Sequence, residues 1–252
     1  MAKFTKIADF NLPEIPYRFV SGAQDYSNQI YIDLNIKILK DIEKNYGVFI
    51  REWAEVFELG EPVLTSFVAV ESKGKVVGRN SAGAIGLCQV TVPTVIESVS
   101  KFKIITGENI PEQAVALLKS KAPYLLSLTP NNQAISSSNK AKLESLLGIS
   151  NVKGKDGKIV SKYNDPNFNI AMGALCLRWV LEITKAQNLA YLQKGIIGYN
   201  QSAYGRISAY KGKFVSTETL FKDKKIPKET RNYIVQVLGK NGFLELYVKN
   251  NI

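Results

Sequence analysis

From Asn28 onward, apolar residues recur at the three- and four-residue spacing of a helix, and this period points to a fold built mainly of packed helices. Ile30, Tyr31, Leu34, Ile38, Ile42 and Tyr46 mark a first amphipathic helix that Gly47 is expected to interrupt, and a second helical stretch covers Val48 to Leu59. Gly60 ends it, and Pro62 suits the first turn of the next helix, where its missing N–H costs nothing. That helix, Pro62 to Glu71, sets Leu64, Phe67, Val68 and Glu71 on one face, so a carboxylate continues an apolar stripe. It stands in the last turn, where the macrodipole opposes a negative charge by about 0.3–1 kcal/mol and pushes its pKa upward. On position alone, such a glutamate more often turns out to solvent.

The chain contains no histidine. Ser-His-Asp and Cys-His catalysis and the common His-ligated metal sites therefore lack their usual base or ligand, which leaves carboxylates, tyrosines, lysines and amides. No cofactor and no metal is expected. Cys88 and Cys176 lie far apart in apolar surroundings without CxxC spacing, and read as buried free thiols rather than a disulfide. With 252 residues, 45% of them hydrophobic, the chain can bury a substantial core without staples. Its formal charge of +11 biases encounters toward polyanions, whether nucleic acid, anionic headgroups or bacterial envelope polymers.

Asp9, Glu14, Pro13 and Pro16 stand where a secretory signal would need a continuous apolar run, and no stretch reaches the length of a membrane span. The expectation is a protein made in the cytoplasm, delivered elsewhere by other machinery if its target lies outside. Residues 1 to about 28 read as an irregular arm.

After Glu71 comes a polar loop to Asn80, then Ser81-Ala82-Gly83-Ala84-Ile85-Gly86-Leu87-Cys88-Gln89, closing on Val92-Pro93-Thr94 with turn chemistry. Gly83 and Gly86 let backbone approach a partner, and Gln89 offers donor and acceptor together. The plainer reading is a small-residue helix start packed on another helix. Asp165 can cap a helix opened by Pro166, with Ile170, Ala174, Leu177 and Leu181 as its buried stripe. Glu229 and Tyr233 are i, i+4 neighbours on a further helix.

Taken in order, Ala69-Val70-Glu71-Ser72, Ser81-x-Gly83-Ala84-x-Gly86-Leu87-x-Gln89, Asp165-Pro166 with Asn169-Ile170 and Gly173, Gly198-Tyr199-Asn200, and Pro227-x-Glu229-Thr230-x-x-Tyr233 resemble the catalytic domain of soluble lytic transglycosylases. That family is related to goose-type lysozyme, and the resemblance covers about residues 60–240. It implies a mainly α, lysozyme-like (α+β) domain over residues 60–252, behind an N-terminal arm and helical extension at 1–59. Cys88 departs from the family's methionine before the glutamine, and Gln201 to Gly205 depart from its Ala-Gly-Pro-Gly.

Between about 98 and 164 the chain is longer than a minimal domain of this kind. Pro111 to Lys119 reads as a short helix and Leu128 to Asn139 as a polar loop. Val152 to Tyr163 reads as a small β-hairpin turning on Asp156-Gly157, a pair that favours a type I′ turn. This insertion is expected either to extend the cleft or to decorate the surface.

The resemblance implies that peptidoglycan glycan strands are the substrate. Glu71 would be the single catalytic acid and base, with Ser81, Gln89, Tyr199, Asn200, Glu229 and Tyr233 orienting it and binding substrate. The product would be a 1,6-anhydro-muropeptide. Three alternatives stand beside it: a muramidase, a docking component of a phage particle or secretion machine that binds wall without cutting, and a nucleic-acid binder. The last has no recognised motif and only dispersed lysines, so no specific nucleic acid is expected.

Overall fold

The computed structural model describes residues 28–153, 159–184, 189–201 and 226–252. They form a mainly helical structure with one small two-stranded antiparallel sheet.

Helix α1 (Gln29–Val56) starts where Asn28 accepts a hydrogen bond from the Ile30 amide at 2.9 Å. It runs unbroken through Gly47, contrary to the expected interruption. The reason lies in the neighbouring turns: the Glu43 side chain crosses Gly47 to pair with Arg51, and a Cβ at residue 47 would come within 2.5 Å of the Glu43 carboxylate. A mid-helix glycine costs about 1 kcal/mol against alanine. Burial of Leu39, Ile42, Ile50 and Trp53 outweighs that, since each large apolar side chain contributes about 1.5–3 kcal/mol. Helix α1 packs on α2 (Glu61–Ser72), on α6 (Pro166–Thr184) and on α9 (Phe243–Lys249), so its apolar face belongs to the same core as the helices that follow.

Val92-Pro93-Thr94 opens a helix rather than a turn. Thr91 accepts from the Thr94 amide, Pro93 sits in the first turn, and α3 (Val92–Thr106) ends at Gly107 in the left-handed conformation. Helix α4 (Glu112–Lys121) and a 3-10 helix (Pro123–Ser127) follow. The loop expected to reach Asn139 stops at Ser136, which caps α5 (Ser137–Leu147) by accepting from the Asn139 amide at 3.1 Å.

Strands β1 (Ile149–Lys153) and β2 (Ile159–Tyr163) pair from Ile149 with Tyr163 to Lys153 with Ile159, so the hairpin begins three residues before Val152. Its turn on Asp156-Gly157, like the N-terminal arm and residues 202–205, lies outside the described residues. The Tyr163 hydroxyl donates to the Lys75 carbonyl at 2.5 Å and accepts from the Val77 amide at 3.1 Å. These bonds moor the hairpin to the loop that leaves Glu71.

Helix α6 is capped by Asp165, whose carboxylate accepts from the Phe168 amide at 2.9 Å. Instead of one buried stripe, every residue from Phe168 to Thr184 is buried, as expected of a helix surrounded by others. Arg178 and Glu182 are tolerable there because they pair with each other, and Arg178 also lies 3.6 Å from Glu108. Helix α7 (Leu189–Gln201) packs on α6, and α8 (Lys228–Leu238) closes over α7 and α2. No described helix is long and apolar enough to cross a membrane.

Candidate active site

Glu71 occupies the last turn of α2. Ser72 secures that helix end, its hydroxyl donating to the Val68 carbonyl at 3.1 Å and accepting from the Gly74 amide at 3.2 Å. Lys73 and Gly74 then take positive φ, and Gly74 is required because a Cβ there would stand 2.5 Å from Ile42 Cγ1.

The loop from Asn80 to Thr91 forms one wall. Asn80 organises it: its Oδ1 accepts from the Ala84 amide at 3.0 Å and its Nδ2 donates to Gln89 Oε1 at 3.2 Å. Gln89, itself left-handed at φ 44°, donates through Nε2 to the Gly86 carbonyl at 2.8 Å. The segment is thus a hydrogen-bonded loop and not the small-residue helix start weighed against it.

Asn169, fully buried on α6, holds this loop from behind. Its Oδ1 accepts from the Cys88 amide at 3.0 Å, and its Nδ2 donates to the carbonyls of Ile85 at 3.2 Å and Leu147 at 2.9 Å. One amide side chain satisfies two buried carbonyls and one buried N–H, which fixes its orientation. Gly86, at φ 80°, is the point of closest approach: a Cβ would lie 2.0 Å from Asn169 Nδ2. Cys88 and Cys176 are buried free thiols, and Cys88 Sγ fills the space that a Cβ at Gly173 would occupy. Burial pushes the Cys176 thiol up to about 12 and raises Cys88 as well, so neither supplies a thiolate near neutral pH.

The opposite wall comes from α7 and α8. The Tyr199 hydroxyl donates to the Cys88 carbonyl at 2.8 Å, and Thr230 donates to Asn200 Oδ1 at 2.6 Å, joining the end of α7 to the start of α8. Tyr199 and Tyr233 both meet Phe67 edge-on, with ring centroids 5.2 and 6.0 Å away. Tyr233 donates its hydroxyl to Glu71 Oε1 at 2.7 Å. Burial holds both tyrosine hydroxyls far above their usual pKa, so they stay protonated donors.

Burial is also what lifts the Glu71 carboxyl from 4.5 to about 7. The Tyr233 hydrogen bond pulls it back down, and the charge of Glu229 adds to the rise. A carboxyl poised there can give up a proton and take one back near neutrality.

Two adjoining cavities, of about 550 and 530 Å³, share Glu71, Asn80, Gln89, Asn200 and Glu229 as lining. The first continues past Tyr199 toward Thr94, Glu97 and Trp179; the second follows α8 past Tyr233. The structure therefore gathers Glu71, Gln89, Tyr199, Asn200, Glu229 and Tyr233 in one cleft. Ser81 is exposed on the loop beside Ala82 and lines neither cavity. No described residue of 98–164 lines them either; that segment buttresses α6 and the loop after Glu71. Sequence reasoning missed Asn80, Glu97, Trp179 and Thr230 as cleft residues and the clamping role of Asn169. Among the described residues no group of three acidic or cysteine side chains is disposed to hold a metal ion.

Comparison with protein-family models, with curated proteins and with solved structures gives no match to this chain.

Proposed function

We propose that the protein is a peptidoglycan lytic transglycosylase with a lysozyme-like catalytic domain. It would cleave the β-1,4 bond between N-acetylmuramic acid and N-acetylglucosamine. The observation that carries this reading is Glu71: a carboxyl raised to about 7 by burial, held by Tyr233 at 2.7 Å, at the meeting point of two cavities. Protonated Glu71 gives its proton to the glycosidic oxygen as the bond to the anomeric carbon breaks, while the substrate's acetamide stabilises the developing positive charge. The carboxylate then takes the proton of the sugar's C6 hydroxyl, whose oxygen closes the 1,6-anhydro ring. The same carboxyl ends as it began.

Gln89 is held by Asn80 and Gly86, and Asn200 by Thr230, so both amides meet a sugar already oriented. The +11 charge favours encounter with an anionic wall, and delivery by a virion or a secretion complex remains part of the proposal. The test is loss of turbidity of purified sacculi. Lysis by the wild-type protein and none by Glu71→Gln supports the reading; wild-type protein that binds sacculi without lysing them overturns it in favour of a docking component.

A further inference from the structure

The β-hairpin lines neither cavity, yet it carries side chains that the core does not use. It is anchored at its base: of β2 only Tyr163 is buried, bonded to the backbone of Lys75 and Val77, and Ile149 lies against Gly78. Beyond that base Ile159 is 74% and Val160 52% exposed, with Lys153 paired opposite Ile159 and Lys162 exposed further back. The loop leaving Glu71 adds Lys75 and Val76, both exposed, beside the base. Residues 73–78, 149–153 and 159–163 contain no carboxylate, and Lys75, Lys153 and Lys162 form no ion pair among the described residues. The sequence joining the strands, 154–158, adds Lys155 and Lys158 against Asp156. Positive charge and unburied apolar side chains are therefore interleaved in one patch.

We infer that this patch docks the protein on an anionic phospholipid surface. Lysines on an edge strand guard against pairing with another chain, but that role gives no reason to leave two adjacent β-branched residues in water. Side chains alternate along a strand, so Ile159 and Val160 face opposite sides of the hairpin, and a rigid partner on one face would cover only one of them. A fluid headgroup layer surrounds both. The apolar groups then reach the boundary with the acyl chains, while the long lysine stems let the ammonium groups stay with the phosphates. A soluble polyanion would engage the lysines and leave Ile159 and Val160 exposed. Lys75 is four residues from Glu71, about 14 Å of chain at most, so docking here keeps the end of α2 close to the bilayer. The docking itself does not depend on the proposed reaction; combined with it, the protein would act on strands next to the membrane.

The test is co-sedimentation of the whole chain with vesicles of phosphatidylcholine alone and of phosphatidylcholine with about one third phosphatidylglycerol. We expect binding to the second only. Ile159→Ser with Val160→Ser should weaken it about tenfold through lost apolar insertion, and Lys153→Glu with Lys162→Glu by about tenfold or more. Lys103→Glu with Lys240→Glu makes the same change in net charge on exposed lysines elsewhere and should weaken it much less. All three variants should keep the wild-type melting temperature, since every substituted side chain is exposed. Sedimentation with neither vesicle, or equally with both, overturns the inference, as does binding that falls as far with the remote lysine pair as with the hairpin pair. Binding indifferent to the serine pair overturns it in favour of a general attraction to polyanions. Failure of the proposed activity is read separately, as sacculi left intact by the wild-type protein.

Discussion

The Tyr233 hydroxyl reaches Glu71 Oε1 at 2.7 Å from a helix 162 residues further along the chain, and its hydrogen bond opposes the burial that raises the Glu71 pKa. The pair sets the alkaline limb of any reaction in which Glu71 serves as general acid. A general acid must be protonated, so activity is expected to fall as pH rises through about 7. Tyr233→Phe removes an interaction that favours the charged form and should move that limb to higher pH. Glu229→Gln removes a charge that disfavours it and should move the limb lower. Profiles of kcat/KM against pH for the two variants check both signs; shifts in the same direction would contradict this account.

Glu71→Gln should keep the fold while losing lysis, and its stability should depend on pH in a defined way. Because the folded-state pKa lies near 7 against an ordinary 4.5, the stability that protonated Glu71 contributes is complete below about 4.5 and lost as pH rises through 7. Glutamine does not titrate. The variant should therefore gain on the wild type between pH 5 and pH 8, by on the order of 2 kcal/mol at the upper end. Thermal unfolding of both proteins at the two pH values measures it.

Gly86→Ala is expected to cost about 3 kcal/mol or more, since its Cβ would collide with Asn169 Nδ2 and with the Leu147 carbonyl at 2.6 Å, on a backbone already at φ 80°. Gly107→Ala is the control. It shares a positive φ of 78° but has nothing within 4 Å of the new Cβ, so only the conformational cost of about 1–2 kcal/mol applies. Urea unfolding of the two variants separates steric clash from backbone preference.

Glu71 and Tyr233 were legible in the sequence because each lies at helical spacing within an ordered set of motifs. The unbroken α1 was not, because the local penalty at Gly47 is offset by a Glu43–Arg51 pair spanning two turns and by burial against other helices. Helix α5 was hidden for a different reason: only Leu143 and Leu147 of it are buried, too few to set up a period. Asn169 was seen as part of a motif, but its work is done on the backbone of Cys88, 81 residues away, and no spacing rule reaches that far. Asn80 and Thr230 likewise act by holding other side chains.

The product separates a transglycosylase from a muramidase. Hydrolysis commonly uses a second carboxylate, as a base that activates water or as a nucleophile, whereas closure of an anhydro ring needs only the substrate's own hydroxyl. Among the described residues, two further carboxylates line the cleft. Glu229 borders both cavities and acts on the charge of Glu71, and Glu97 stands in the α3-side cavity, paired with Lys101 at 2.6 Å. Glu97 is thereby held as a neutralised ion pair, and Glu229 is exposed at the mouth, where water would compete with any nucleophilic role. We expect mass analysis of fragments released from sacculi to give mainly 1,6-anhydro-muropeptides, one water lighter than hydrolysis products and without a reducible end. We also expect Glu97→Gln to leave that product unchanged. Mainly reducible fragments would make the enzyme a muramidase, and loss of hydrolysis in Glu229→Gln but not in Glu97→Gln would then name the second carboxylate.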